Sequence, residues 1–94
     1  MIQVKKYGSK NAIMISNEAE MVDVFISYRE PMLLVDWNNK TIKVNKNKFS
    51  VTTSRHLNMF KRDADFDYKE SKGWAIEQVE SIDGMTYSMN KAAQ

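Results

Sequence analysis

Alternation of apolar and polar side chains predicts a run of short strands in the first half of the chain. The clearest example is residues 22–28, where valine and isoleucine alternate with more polar or aromatic neighbours. Turn-forming residues at Gly8-Ser9, 17–20 and 38–40 divide this half, and Pro31 begins a turn or an edge strand because it has no N–H to donate. The pattern predicts strands over residues 2–7, 11–16, 22–28, 32–37 and 41–44.

The pattern changes to helical spacing after residue 50. Three hydroxyl side chains at 52–54 offer N-caps, Leu57 and Phe60 lie three residues apart, and Lys61 and Arg62 suit the carbonyl end of a helix. These features predict a helix near 53–62. Residues 63–73 are acidic and aperiodic, which predicts a long connection.

Residues 74–89 allow two interpretations. Good helix formers occupy 75–82, but Asp83-Gly84 followed by alternating residues is a hairpin signal, and we favour a hairpin over 74–89. With 94 residues the chain fits one domain. The expected fold class is α+β: a small antiparallel sheet curled into a half-barrel, one short helix and a C-terminal hairpin.

Composition narrows the classes of function. Hydrophobic residues make up 43% and charged residues 28%, a globular balance. The chain has no cysteine, which excludes disulfides, thiolate nucleophiles and cysteine-ligated zinc. Residues 1–7 lack an export signal's apolar stretch and the longest apolar run, 32–35, cannot cross a bilayer. We expect a cytoplasmic protein without membrane association.

Charge is unevenly distributed along the chain. Residues 1–62 contain eleven basic and five acidic side chains, a net +6, whereas residues 63–94 contain three and seven, a net −4. Such a division is typical of a surface that binds polyanions. It is equally typical of two segments that attract each other within one fold.

Candidate catalytic and metal-binding residues are few. His56, the single histidine, could act as a general base with Ser54 or Thr53, but no carboxylate is spaced to orient it, so a packing role is favoured. Asp63, Asp65 and Asp67 alternate like calcium ligands. A calcium loop, however, needs glycine at its sixth position and glutamate at its twelfth, and residues 68 and 74 are Tyr and Trp. We expect no enzyme activity, cofactor or metal.

A basic and aromatic surface is the remaining candidate. Phosphates are bound by dispersed cations and bases stack on aromatic rings, which favours a nucleic-acid-binding module. Lysines on exposed strands also keep a protein soluble and protect strand edges. The basic residues can therefore be interpreted as a solvated surface as well as a nucleic-acid-binding one. The candidate binding face consists of Tyr28, Trp37, Lys43, Lys46, Lys48, Arg55, His56 and Arg62.

Three segments resemble a known family. Tyr7-Gly8, the run Ser27-Tyr28-Arg29-Glu30-Pro31 and the run Thr52-Thr53-Ser54-Arg55-His56 are similar to the YG, SYxxP and TTSRH motifs of small phage-encoded and archaeal proteins of unknown function. The resemblance covers residues 1–62. Met32-Leu33 stand where that pattern usually has Val-Ala.

The resemblance implies a small accessory protein and supplies no catalytic residues. The expected function is therefore non-enzymatic binding of a host macromolecule in the host cytoplasm. The leading partner is a host protein of defence or transcription, with anti-CRISPR-like inhibition among the modes of action, and nucleic acid is the alternative. An edge strand at 22–28 or 85–89 could also form a homodimer.

Overall fold

The structure, a computed structural model, describes residues 2–8, 11–47 and 51–82. Each strand predicted ahead of the helix is present, and the α+β class is confirmed. The elements are β1 (Ile2–Lys6), β2 (Ala12–Asn17), β3 (Val22–Ser27), β4 (Glu30–Asp36), β5 (Thr41–Asn45), α1 (Val51–Asp63), α2 (Phe66–Ser71) and β6 (Ala75–Val79).

The six strands form one sheet in the order β1-β2-β3-β4-β5-β6. Strands β1 to β5 are an antiparallel meander joined by short turns. The chain then crosses over through both helices and returns as β6, which pairs with β5 in parallel. The crossover is required because parallel neighbours cannot be joined by a tight turn.

The C-terminal third differs from the sequence-based prediction. The prediction of one helix and a connection at 63–73 was wrong, because α2 lies inside that acidic segment. Helix α2 is too short to show periodicity, and it is stabilised by packing of Phe66 and Lys69. The prediction of a wholly antiparallel sheet was wrong as well.

Residues 75–79 are a strand, so the helical alternative for this stretch was also wrong. The second half of the proposed hairpin, 83–89, lies outside the described residues. The sheet is not closed into a barrel, since β1 and β6 are its edges among the described strands. Strand β3 is interior, which rules out the homodimer edge that was expected at 22–28.

Helix α1 covers one face of the sheet. Phe60 is fully buried, with its ring 5.3 Å from Phe25 and 5.5 Å from Tyr7, centroid to centroid. Thr53 is buried too, and Leu57 packs against the same cluster, which gives α1 an inner stripe that continues into the buried Ala64 just after the helix. Neither described helix is long and apolar enough to span a bilayer.

A second apolar cluster lies on the opposite face of the sheet. Ile15, Val24 and Leu34 alternate with residues of the α1-side cluster, and Ile82 packs among them. Strand β4 is therefore buried on both sides, which explains its continuous apolar run. A register shift opposite Phe25/Ile26 places both Met32 and Leu33 in the α1-side cluster.

Candidate functional site

The turn between β3 and β4 holds two large side chains in left-handed backbone conformation. Tyr28 has φ 50° and Arg29 has φ 66°, and they join the paired residues Ser27 and Glu30. Positive φ at both central residues is the geometry of a type I′ turn, normally formed by Asn-Gly. Each such non-glycine residue costs roughly 1–2 kcal/mol, so surrounding contacts must hold the turn in place.

Helix α1 supplies part of that support. The Ser27 hydroxyl lies 2.7 Å from His56 Nδ1 and 3.5 Å from the Thr53 hydroxyl. The Tyr28 ring stacks on the His56 ring at 5.6 Å between centroids, with 27° between the ring planes. On the other side of the turn, the Tyr28 N–H donates to the Asn11 carbonyl at 2.8 Å.

We call Ser27, Tyr28, Arg29 and His56 the turn–helix patch. Ser27 is fully buried, whereas Tyr28 remains 50% exposed and Arg29 is exposed. The patch therefore presents a ring and a guanidinium to solvent from a fixed base. It also joins the Ser27-Tyr28 segment to the Thr53 to His56 segment, two of the three segments that resemble a known family.

The patch changes the interpretation of His56. The sequence suggested Ser54 or Thr53 as its hydroxyl partner, but the partner is Ser27, and Ser54 lies in a groove on another side of α1. The distance between Ser27 Oγ and His56 Nδ1 suits a nucleophile and base. Ser27 is fully buried, however, and its hydroxyl is not exposed to solvent.

The predicted basic residues do not form one surface. Lys43 alternates with Ile42 and Val44 of the α1-side cluster, so it lies on the opposite face of the sheet. Lys46 lies 3.6 Å from Glu80, at the end of β5. Arg55 and Arg62 are exposed on α1, and Lys48 lies outside the described residues.

The two predicted stacking rings are also far apart. Tyr28 precedes β4 and Trp37 follows it, and a seven-residue strand spans about 23 Å. The two rings therefore cannot form one stacking platform. Tyr28 belongs to the turn–helix patch, and Trp37 belongs to a different cluster at the far end of the strand.

Sequence reasoning missed that second cluster, which surrounds Lys69. Lys69 is 6% exposed, and its ammonium lies 4.5 Å from the Trp37 ring and 5.5 Å from the Trp74 ring. Its Nζ donates to the Ala64 carbonyl at 2.5 Å, and Trp37 Nε1 donates to Asp23 at 2.9 Å. The order of β4, β5 and β6 brings the two tryptophans together. The sequence therefore carries no local signal for this cluster.

A third polar cluster joins β1 to the end of α1. The Asp63 carboxylate accepts hydrogen bonds from the Tyr7 hydroxyl and from Lys5 Nζ, the latter at 3.1 Å. The Tyr7 hydrogen bond, opposed by burial and assisted by Lys5, lowers the pKa of Asp63. Burial and then the Asp63 hydrogen bond raise the pKa of Tyr7.

Asp63→Asn should make the free energy of unfolding depend less on pH in the acid range. Because folding lowers the pKa of Asp63, its contribution is present above the ordinary value of 3.8 and is lost as pH falls through the folded pKa. We expect the variant to lose about 1 kcal/mol at pH 7 and to approach the original protein near pH 2, measured by urea unfolding. A constant difference across this range would contradict the pairing.

Tyr7→Phe is the matched control for the same cluster. It keeps the Asp63 carboxylate but removes the main cause of its lowered pKa. The raised pKa of Tyr7 gives stability below pH 10 that is lost above it, and this alkaline loss should disappear in the variant.

Two ion pairs of the described residues connect the basic part of the chain to the acidic part. Lys5–Asp63 and Lys46–Glu80 each join a residue before position 62 to one after it. These contacts favour the interpretation that the charge asymmetry acts partly within the fold. Asp63, Asp65 and Asp67 do not converge, and the described residues contain no group of three or more acidic or histidine side chains placed to hold a metal ion.

Two grooves border α1. The larger, about 430 Å³, lies between α1 and α2, and its two basic residues, Lys61 and Arg62, are balanced by Asp65 and Asp67. The smaller, about 300 Å³, lies between α1 and the ends of β5 and β6. Lys61 lines both grooves.

A family model of unknown function matches residues 2–77. The chain belongs to the DUF8033 family. The DUF8033 match continues past residue 62, where the sequence resemblance ended, so the family region includes α2 and the start of β6. The turn–helix patch and the Lys69 cluster lie wholly within it. No curated protein and no solved structure matches the chain.

Proposed function

We propose that this DUF8033 protein is a non-enzymatic binding protein that recognises another protein through the turn–helix patch. The observation that carries the proposal is Tyr28, a half-exposed ring that is held in left-handed backbone conformation and stacked on His56. Strained residues that the surrounding structure maintains are concentrated at functional sites. The strain at Tyr28 and Arg29 is therefore a reason to assign a role to their side chains.

The side chains of the patch suit a protein partner. Tyrosine and arginine are enriched among residues that dominate binding energy in protein interfaces. His56 and Ser27 restrict the Tyr28 ring before a partner arrives, which lowers the entropy lost on binding. The buried Ser27 hydroxyl favours a binding role over catalysis.

Nucleic acid is the less supported alternative. Phosphate binding needs several unpaired cations on one surface. Here Lys43 faces away from α1, Lys46 lies near Glu80, and Arg55 and Arg62 share α1 with no stacking ring beside them in the described contacts. This arrangement of cations supports local contact with a protein. It gives less support to a basic groove that follows the phosphate backbone of a nucleic acid.

The proposal also covers the kind of protein that the turn–helix patch recognises. The resemblance to phage-encoded accessory proteins favours a host protein in the cytoplasm, with inhibition of a defence or transcription component as the biological effect. The exposed Arg29 and Arg55 favour an acidic surface on that partner.

Tyr28→Asn is the decisive variant because asparagine tolerates left-handed backbone and removes the ring. We expect unchanged or increased stability together with at least about 30-fold weaker binding. Partners would be captured on immobilised protein from nuclease-treated host lysate, identified by mass spectrometry and titrated in purified form. Tyr68→Asn, at an exposed tyrosine of α2, is the matched control and should bind normally.

Two results would overturn the proposal. One is a partner that binds Tyr28→Asn as tightly as it binds the original protein. The other is recovery that disappears with nuclease and weakens steeply with salt, which would favour the nucleic-acid alternative.

A further inference from the structure

The smaller groove lies where a crossover connection builds binding sites. Strands β5 and β6 are parallel, so their carboxyl ends meet at one edge of the sheet, and α1 begins beyond that edge. Ligands of open sheets bind in the crevice outside the carboxyl ends of parallel strands. The groove, about 300 Å³ in volume, is at this position.

The groove combines an apolar floor with polar walls. Met32, Val44 and Leu57 line it with carbon and sulfur atoms. Lys46 and Lys61 also line it, and the Lys61 ammonium lies 5.0 Å from the centroid of the Phe66 ring of α2. No described residue that lines it is acidic. Its remaining lining is uncharged and rich in hydrogen-bonding groups: Asn45, Asn47, Asn58, Gln78, Thr53 and Ser54.

One wall of the groove is held rigidly. Asn45 is 1% exposed, and its Nδ2 donates to the Pro31 carbonyl at 3.0 Å while its Oδ1 accepts from the Asn47 N–H at 2.9 Å. The Asn47 side chain donates in turn to the Glu80 carbonyl at 2.6 Å. These bonds fix the chain as it leaves β5, so the Lys46 backbone is held in place before a ligand binds.

We infer that this groove binds the carboxylate of an aspartate or glutamate side chain from a protein partner. Lys46 attracts an anion, and so does Lys61 once its ammonium rotates away from the Phe66 ring. The exposed Asn58 and Gln78 carboxamides satisfy the anion's remaining hydrogen bonds, and the floor accepts the methylene groups of the side chain. The choice of a protein as the source of the carboxylate rests on the proposed function. The presence of the groove and its charge do not depend on that proposal.

The Glu80 carboxylate pairs with the Lys46 ammonium when no partner is bound. The distance between Lys46 Nζ and the Glu80 carboxylate is 3.6 Å, and their side chains are 48% and 81% exposed. Such an exposed pair is weak, so an incoming carboxylate can replace Glu80. A nucleic acid would need further cations in line, and Lys43 lies on the opposite face of the sheet.

The test is an NMR titration of the full chain, labelled with nitrogen-15, with N-acetylglutamate N-methylamide. We expect saturable shifts of the amides at 45–47, 54, 58 and 61 in the millimolar range, which suits one weak charged contact. The neutral glutamine analogue should bind at least about tenfold more weakly. Lys61→Gln should weaken glutamate binding about fivefold, whereas Lys72→Gln, in the exposed turn after α2, should not.

Three outcomes would overturn the inference. They are equal binding of the glutamine analogue, unchanged binding by Lys61→Gln and Lys46→Gln, or stronger shifts of the same amides by inorganic phosphate or an oligothymidylate. Tyr28→Asn should leave this titration unchanged. Failure of the groove and failure of the turn–helix patch are therefore distinguishable.

Discussion

Phe60→Ala is expected to destabilise the protein by about 3–5 kcal/mol, the range for removing a fully buried aromatic side chain. Phe60 is the central contact between α1 and the sheet, with its ring against Tyr7, Phe25 and His56. Small domains are stable by only about 5–15 kcal/mol, so this loss is a large share of the total. Urea unfolding followed by circular dichroism measures it.

Phe60→Leu is the matched control for this prediction. Leucine keeps most of the buried apolar volume, and we expect a loss of about 1–2 kcal/mol. A loss below 1 kcal/mol for Phe60→Ala would mean that α1 does not pack on the sheet as described. The same result would undermine the turn–helix patch, because His56 is positioned by that packing.

Lys69→Ala is expected to cost about 2–4 kcal/mol, the second largest effect. The substitution removes the cation from both tryptophan rings and leaves a cavity between α2 and the end of β4. Trp37 and Trp74 are the two tryptophans of the chain, so fluorescence excited selectively at tryptophan, and not at the four tyrosines, reports on this cluster alone. We expect a shift in the emission maximum along with the loss of stability.

Two variants separate charge from volume at Lys69. Lys69→Met retains the bulk and removes the ammonium, so it should lose about 1–2 kcal/mol, less than alanine does. Lys72→Ala is the external control, because Lys72 is exposed and its ammonium lies 5.5 Å from the Tyr68 ring. Equal effects of Lys72→Ala and Lys69→Ala would show that burial between the tryptophans has no energetic role.

The two proposed binding surfaces lie on different sides of α1. His56 contacts the β3–β4 turn, whereas Ser54 and Lys61 line the smaller groove beside the ends of β5 and β6. A single partner that covers α1 from Ser54 to Lys61 would contact both surfaces. Variants at Tyr28 and Lys61 then test separate contributions to the binding free energy. The losses of binding free energy should add in the double variant, because the two residues share no partner in the described contacts.

The sequence predicted most of the meander because each strand carries its own signal. Alternating side chains at 22–28 and polar turns at 38–40 depend on neighbours in the chain, and so does the spacing of Leu57 and Phe60 in α1. His56 and Tyr28 were identified as candidates from the chemistry of their side chains, an imidazole and a stacking ring. The Ser27 contact was missed, since a buried serine at the end of a strand carries no local sign of its partner.

Local periodicity and turn chemistry are enough to predict the α+β class, the five strands of the meander and the main helix. Three further features follow from long-range packing: β6 runs parallel to β5, α2 forms in the acidic segment, and Lys69 lies between two tryptophans. The tertiary structure also placed Lys43 away from the other cations. Each of these depends on contacts between residues distant in sequence, and their free energy exceeds the weak local preferences of short segments.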